Sequence, residues 1–241
     1  MKERQDCIFG IVPKYALIPL ISAFALNMLI YSGTMILCKD FYHHDFTTAF
    51  DRMVPLLPAF TSIYLVCYIF WAVNYILISR IGKEHMYRFL LGDCLSRIIC
   101  GVFYVFLPTT LVRPEIAGTG FWDQVLKFVY SIDQSANLFP SIHCLVSWFC
   151  YIGIRKQKQI SQWYQRFSMI FAILVCVSTQ VTKQHYIIDV FGGILLGELC
   201  YGIGQRTQWY QKLWKLFTKV NQFFGLEKRE DGLKRLSEIK G

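Results

Sequence analysis

Six apolar runs, each near the length of a bilayer-crossing helix, leave this chain few ways to fold. They cover approximately 12–37, 58–79, 89–107, 138–154, 166–182 and 186–204 of its 241 residues. A helix rising about 1.5 Å per residue needs about 20 mostly apolar residues to cross a hydrocarbon core of about 30 Å. The runs are continuous rather than alternating with period two, so helices, which satisfy their backbone hydrogen bonds internally, are predicted in place of a β-barrel. Only 17% of the residues are charged and 54% are hydrophobic, whereas a soluble domain carries about a quarter charged. The expectation is an all-α integral membrane bundle of six transmembrane helices. It forms one domain over 1–204, followed by a basic amphipathic tail over 205–241. The first run is too long for the core of a cleavable leader and is read as an anchor.

The net charge of +9 falls in short clusters between the apolar runs, not along one face of a folded module. That excludes a nucleic-acid partner and makes the clusters topology signals. Lys2, Arg4 and Lys14 lie in the N-terminal tail, Arg80, Lys83 and Arg88 in the second loop, and Arg155, Lys156, Lys158 and Arg166 in the fourth. A dense group follows from Arg206 to Lys240. The first, third and fifth loops are poor in Lys and Arg. By the positive-inside rule both termini and the even loops are cytoplasmic. In the tail, Trp209, Leu213, Trp214, Phe217 and Val220 recur at helical spacing with Lys212, Lys215 and Lys219 between them. The pattern fits a helix lying on an anionic inner leaflet, or equally a continuation of the sixth span packed on its neighbours. The nine cysteines sit mostly inside apolar runs without ligand-like spacing and read as packing residues.

Three polar clusters fall on the predicted non-cytoplasmic side. Val112-Arg113-Pro114-Glu115 follows the third run, Asn137-Leu138-Phe139-Pro140-Ser141-Ile142-His143 enters the fourth, and Thr182-Lys183-Gln184-His185-Tyr186-Ile187-Ile188-Asp189 enters the sixth. His185 and Asp189 are four apart, on one helix face if the helix has begun by His185. A carboxylate there fixes the imidazole tautomer and leaves the other nitrogen free to attack an electrophile. His143, at the mouth of another span, suits proton donation to a leaving group. Pro140 and Ser141 look like a helix start whose free N–H groups favour an anion, and Arg113 would add a bidentate clamp. Lys183 is read either as a further phosphate contact or as a lysine snorkelling at a helix end. Together these are parts for phosphoryl transfer.

These residues also carry a family resemblance. Pro140-Ser141-Ile142-His143 resembles the PSGH motif of the type 2 phosphatidic acid phosphatase superfamily, and His185-Tyr186-Ile187-Ile188-Asp189 resembles the HxxxD end of its third motif. Arg113-Pro114 looks like the end of its first motif, KxxxxxxRP. The resemblance implies a metal-independent reaction without a cofactor. In it the histidine at His185 becomes a phosphohistidine supported by Asp189, and His143 protonates the departing oxygen. Two motif cations are missing, because the first-motif lysine falls at Phe106 and the third-motif arginine at Thr179. In this respect the chain looks more like the branch containing inositol phosphorylceramide synthase and sphingomyelin synthase, whose members move a phospho-headgroup from a lipid to an alcohol. Water and an alcohol both stay open as acceptor. The implied partners are a lipid phosphate or phospholipid and membrane lipids, in the cell membrane, with the site on the non-cytoplasmic side. The oligomeric state is left open.

Other polar residues receive plainer readings. Asp93 and Arg97, four apart in the third run, are predicted to form a structural ion pair. His43 and His44 read as solvated loop residues. Gly192, Gly193 and Gly197 read as positions where helices approach closely. Two competing functions also use the intramembrane histidines: ligation of a haem or metal by His143 and His185, and a lipid-transport path lined by polar residues.

Overall fold

The computed structural model describes residues 7–228. Lys2, Arg4 and the tail's basic residues from Arg229 onward lie outside the described residues. In chain order the described residues form a two-stranded antiparallel ladder, β1 (Cys7–Ile8) with β2 (Val12–Pro13). Then come α1 (Lys14–Leu37), α2 (Ala49–Met53), α3 (Thr61–Ile81) and α4 (Lys83–Phe106). After these follow α5 (Phe121–Ile132), α6 (Ile142–Ile154), α7 (Gln162–Val181), α8 (Ile187–Arg206) and α9 (Tyr210–Phe223).

Among the described residues five helices are long and apolar enough to cross a membrane: α1, α3 with its leading turn from Pro58, α4, α7 and α8. Large side chains on their outer faces, among them Phe24, Leu29, Ile69, Ile170, Phe191 and Leu195, are exposed. In water such a surface would drive association; in a bilayer it meets lipid tails at no cost. The fourth apolar run behaves differently. Residues 138–141 are a non-helical lead-in, and α6 has 13 residues, about 20 Å of helix, less than a hydrocarbon core. Instead of facing lipid, α6 is enclosed by α3, α7 and α8, with Leu145, Phe149, Cys150 and Ile152 fully buried. It is the axis around which the bundle is packed.

Close approach at this axis needs small residues. A Cβ on Gly193 of α8 would lie 2.7 Å from the Ser141 carbonyl oxygen, and one on Gly92 of α4 would lie 2.7 Å from the Cys200 carbonyl oxygen. These two glycines let α8 press against α6 and α4 respectively. The Asp93–Arg97 pair forms inside α4 at 2.7 Å, with both residues almost fully buried.

The loops collect at two ends. At one end His44 pairs with Thr109, Thr110 pairs with Ala136, and Leu57 N–H donates to the Val181 carbonyl. At the other, Arg80 donates to the Gly10 and Ile11 carbonyls, Arg88 to the Gln205 carbonyl, and His85 bonds the Gly153 carbonyl. Helix α4 begins six residues before its predicted start, because the Glu84–Arg88 ion pair at 2.9 Å and the His85 bond satisfy its polar first turns. Helix α5 has no counterpart among the predicted runs: it is amphipathic and buries Leu126 and Val129. Helix α9 packs on α4 and α1, with Trp214 stacked on Tyr87 at 5.6 Å between ring centroids.

Candidate functional site

The first wall of the site is the turn from α7 into α8. His185 N–H donates to the Thr179 carbonyl at 3.2 Å, and Gln180 Nε2 donates to the His185 carbonyl at 3.0 Å, so the backbone is pinned on both sides. Helix α8 starts at Ile187, two residues after His185. The condition on which the spacing would have put both residues on one helix face, a helix begun by His185, is therefore not met. Asp189 is the third helical residue, and its Oδ2 turns back to accept both the Tyr186 N–H at 3.0 Å and His185 Nδ1 at 3.1 Å. The helix cap and the imidazole support are one carboxylate, with Asp189 0% and His185 8% exposed. With Nδ1 so engaged, Nε2 is the nitrogen left for a ligand. Burial alone would lower the His185 pKa, but the Asp189 hydrogen bond and charge outweigh it and hold the ring above its ordinary value.

The second wall is the start of α6. Ser141 caps the helix, its Oγ accepting from Cys144 N–H at 3.3 Å while its own N–H donates to the Asp189 carbonyl at 3.2 Å. The starts of α6 and α8 are thus tied together, which sets His143 opposite His185 with 6.0 Å between ring centroids. His143 stacks on Tyr64 at 4.3 Å, lies 5.5 Å from Trp71, and shares a 3.1 Å hydrogen bond between its Nε2 and Tyr68 OH.

Arg113 and Asp133 form the third wall. Arg113 Nη1 donates to the Asp133 carbonyl, its Nη2 donates to Gln184 Oε1, and the guanidinium lies 4.6 Å over the Tyr130 ring. The Asp133 carboxylate accepts from Tyr31 OH and Tyr64 OH, each at 2.7 Å. Burial would raise the Asp133 pKa, but the nearby His143, the two phenols and Arg113 hold it below the usual carboxylate value. It is an anion at neutral pH.

These walls enclose a cavity of about 400 Å³ that Arg113, Asp133, His143, Gln184 and His185 all line. A neighbouring hollow of about 230 Å³ shares Phe24, Met28, Tyr68 and Trp71 with it and runs down past Leu20 and Val146 to Asp93 and Arg97. The histidines, Arg113 and Asp133 thus line one cavity, and a largely apolar cleft continues from it. Not every predicted residue reaches the cavity. Ser141 is fully buried as a helix cap. Lys183 points the other way, its Nζ donating to the Asp51 carbonyl at 2.6 Å and to the Val54 carbonyl. Phe106 is 81% exposed at the end of α4, and Thr179 is 0% exposed, its carbonyl holding the His185 turn. Neither replaces a missing cation. Asp133, Tyr31 and Tyr64 were not singled out by sequence, and Gln184, inside the third polar cluster, was given no role; the one hint for Asp133 was its place as an acidic residue ending an amphipathic stretch next to the Asn137 cluster. Among the described residues no three His, Cys, Asp or Glu side chains gather as a metal-binding group.

A helical bundle with an apolar exterior and a buried polar cavity under its loops is an integral membrane protein. The family model of the PAP2 superfamily matches residues 41–203, and the chain belongs to that superfamily, whose members are generally phosphatases or phosphotransferases. No curated protein and no solved structure matches the chain.

Proposed function

We propose that the protein is a lipid phosphatase or phospho-headgroup transferase that works through a phosphohistidine on His185. The observation that carries this reading is the pair of imidazoles 6.0 Å apart across one cavity, one of them held by Asp189. His185 Nε2 attacks phosphorus and forms the N–P bond. The P–O bond to the lipid breaks, and the departing oxygen takes a proton from His143. In the second step an acceptor hydroxyl attacks in line, passes its proton to His143, and the N–P bond breaks to restore His185. Arg113 stabilises the equatorial oxygens, as charge-assisted donors do in phosphoryl transfer. Axial ligation of a haem or metal needs neither Arg113 nor Asp133.

The topology belongs to the same proposal. Short α6 and its lead-in serve as the sixth span, both termini are cytoplasmic, and the site lies at the outer face of the cell membrane. The grouping of basic loops at the opposite end from the cavity supports this. Residues 1–204 form the catalytic domain. Exposed Trp209, Leu216 and Phe223 beside Lys212, Lys215 and Lys219 suit α9 to rest on the inner leaflet. The substrate assignment within the superfamily, including kinship with the inositol phosphorylceramide synthase branch, is tested by incubating purified protein with labelled phospholipids, with and without alcohol acceptors. Free phosphate identifies a phosphatase and a new phosphodiester lipid a transferase. No product from any lipid would overturn the reading.

A further inference from the structure

Arg97 is buried in the middle of the bundle with most of its hydrogen-bonding capacity unused. Its Nη2 donates to Asp93 Oδ1 at 2.7 Å and lies 3.4 Å from the Tyr75 hydroxyl, which itself donates to Asp93 Oδ1 at 2.7 Å. Nε and Nη1 are buried without a partner, and the residue is 2% exposed. More than half of the guanidinium donors are therefore unserved. An ion pair that served only to fix α4 would leave no such remainder, because an unpaired donor on a charged group is costly away from water. The amide oxygen of Asn27, in the middle of α1, is likewise buried and unpartnered.

Both groups line the hollow of about 230 Å³ that continues from the histidine cavity, and Asn27 lines the histidine cavity as well. Helix α1 packs along α4. Arg97 lies nine residues before the end of α4 and Asn27 ten before the end of α1, which puts them about 14 and 15 Å from those ends, at one level. Helix α3 measures the depth below the chemistry. Tyr68 bonds His143 and Tyr75 bonds Asp93, and the two tyrosines, seven residues apart, are separated by about 10 Å of helix. Phe24 and Met28, exposed on α1, border the same hollow, so a lipid tail enters it sideways from the bilayer.

We infer that Arg97 and Asn27 form a polar anchor for a hydroxyl carried within the hydrocarbon tail of the substrate, so that the preferred lipid phosphate is one hydroxylated in mid-chain; this rests on the lipid-phosphate reading proposed above. Complementarity selects the group. Arg97 Nε and Nη1 need an acceptor, Asn27 Oδ1 needs a donor, and a hydroxyl is both in one atom. A ketone would leave Asn27 unserved. A carboxylate would set a second negative charge beside Asp93, whose charge already balances Arg97. With C–C bonds of about 1.5 Å in a zigzag, a depth of about 10 Å corresponds to roughly eight carbons from the phosphate ester oxygen. Hydroxyl, ester or amide groups next to the phosphate do not reach this level.

The test measures binding of hexadecyl phosphate and of its 2-, 8-, 10- and 16-hydroxy forms to the His185→Asn protein in detergent micelles, where no turnover intervenes. The 8- or 10-hydroxy form is expected to bind about tenfold more tightly than the plain, 2-hydroxy and 16-hydroxy forms, the gain of one hydrogen bond to a charged group. Asp93→Leu combined with Arg97→Met removes both charges together, so no lone ion stays buried, and should bring the mid-chain advantage to within about twofold. Asn27→Leu, which leaves no charge unpaired, should cut the advantage by about threefold and carries the test if the double variant does not fold. Retained binding of hexadecyl phosphate identifies a folded variant. Equal binding of all five forms, or an undiminished mid-chain advantage in either folded variant, overturns the anchor; ordered water alone would then serve Arg97. Binding of no form overturns the lipid-phosphate reading and the anchor with it. A mid-chain advantage in a protein whose His185 form releases and transfers no phosphate overturns the proposed reaction and leaves the anchor standing.

Discussion

Asp189 reaches back from the first turn of α8 to hold His185, and a single oxygen, Oδ2, receives both the imidazole Nδ1 and the Tyr186 N–H. Its other oxygen, Oδ1, is buried without a partner. The pose of the ring and the start of the helix are therefore one structural unit, and a change in the carboxylate is felt by both.

Asp189→Asn keeps an oxygen for the cap and removes the charge. Only the neutral ring attacks, and the carboxylate holds the His185 pKa above its ordinary value, which is about 6.5. Wild-type turnover should fall on the acid side with a midpoint above about 6.5. In Asp189→Asn, burial acts without its counterweight, so the acid limb should move to lower pH while the maximal rate drops by roughly a hundredfold. A pH–rate profile of both proteins checks the sign.

Asp133 has a depressed pKa in the fold. Its ionised form thus adds stability that is fully present above the unfolded carboxylate value of about 3.9 and is lost as pH falls through the lower folded value. Melting temperatures in detergent should decline below about pH 4 in the wild type, and Asp133→Asn should lack that part of the decline. Asp133→Asn should also weaken turnover by loosening Tyr64 under the His143 ring, which Tyr64→Phe, keeping the stack, should do less.

Lys183 holds the loop around α2 through the Asp51 and Val54 carbonyls. Lys183→Met should release them at a cost of about 1–3 kcal/mol. Limited proteolysis should then cut faster within residues 45–54, with little change elsewhere in the chain.

Gly193→Ala would put a methyl 2.7 Å from the Ser141 carbonyl oxygen and 3.1 Å from the Leu145 nitrogen. Backbone cannot give way as a flexible side chain does, so α8 must move off α6 at a cost of about 1–3 kcal/mol. A lower melting temperature with a disproportionate loss of activity is expected. Gly202→Ala, where nothing lies within 4 Å, is the control and should be close to neutral.

Much of this arrangement was legible in the chain because its causes are local. Long apolar runs can only satisfy their backbones as helices, and His143, Arg113, His185 and Asp189 sit in short polar clusters at run ends. The fourth run was legible as helix but not as a short, enclosed one: burial by protein and burial by lipid call for the same apolar residues. The His185–Asp189 spacing concealed a cap, because four residues across a helix start and four within a helix look alike in sequence. Asp133, Tyr31 and Tyr64 meet only through tertiary packing, from parts of the chain about 100 and 70 residues apart; the place of Asp133 at the end of an amphipathic stretch is a weak local mark, and the two tyrosines carry none. Lys183 had two readings, and its bonds to Asp51 and Val54 required knowing where the first loop lies.

The most direct measurement is rapid quenching of the protein with a phosphorus-labelled lipid, followed by peptide mapping of the labelled chain. The account predicts an acid-labile, base-stable label on the peptide carrying His185, formed at least as fast as product and absent from His185→Ala. Undiminished turnover by His185→Ala, or label on another residue, would contradict it.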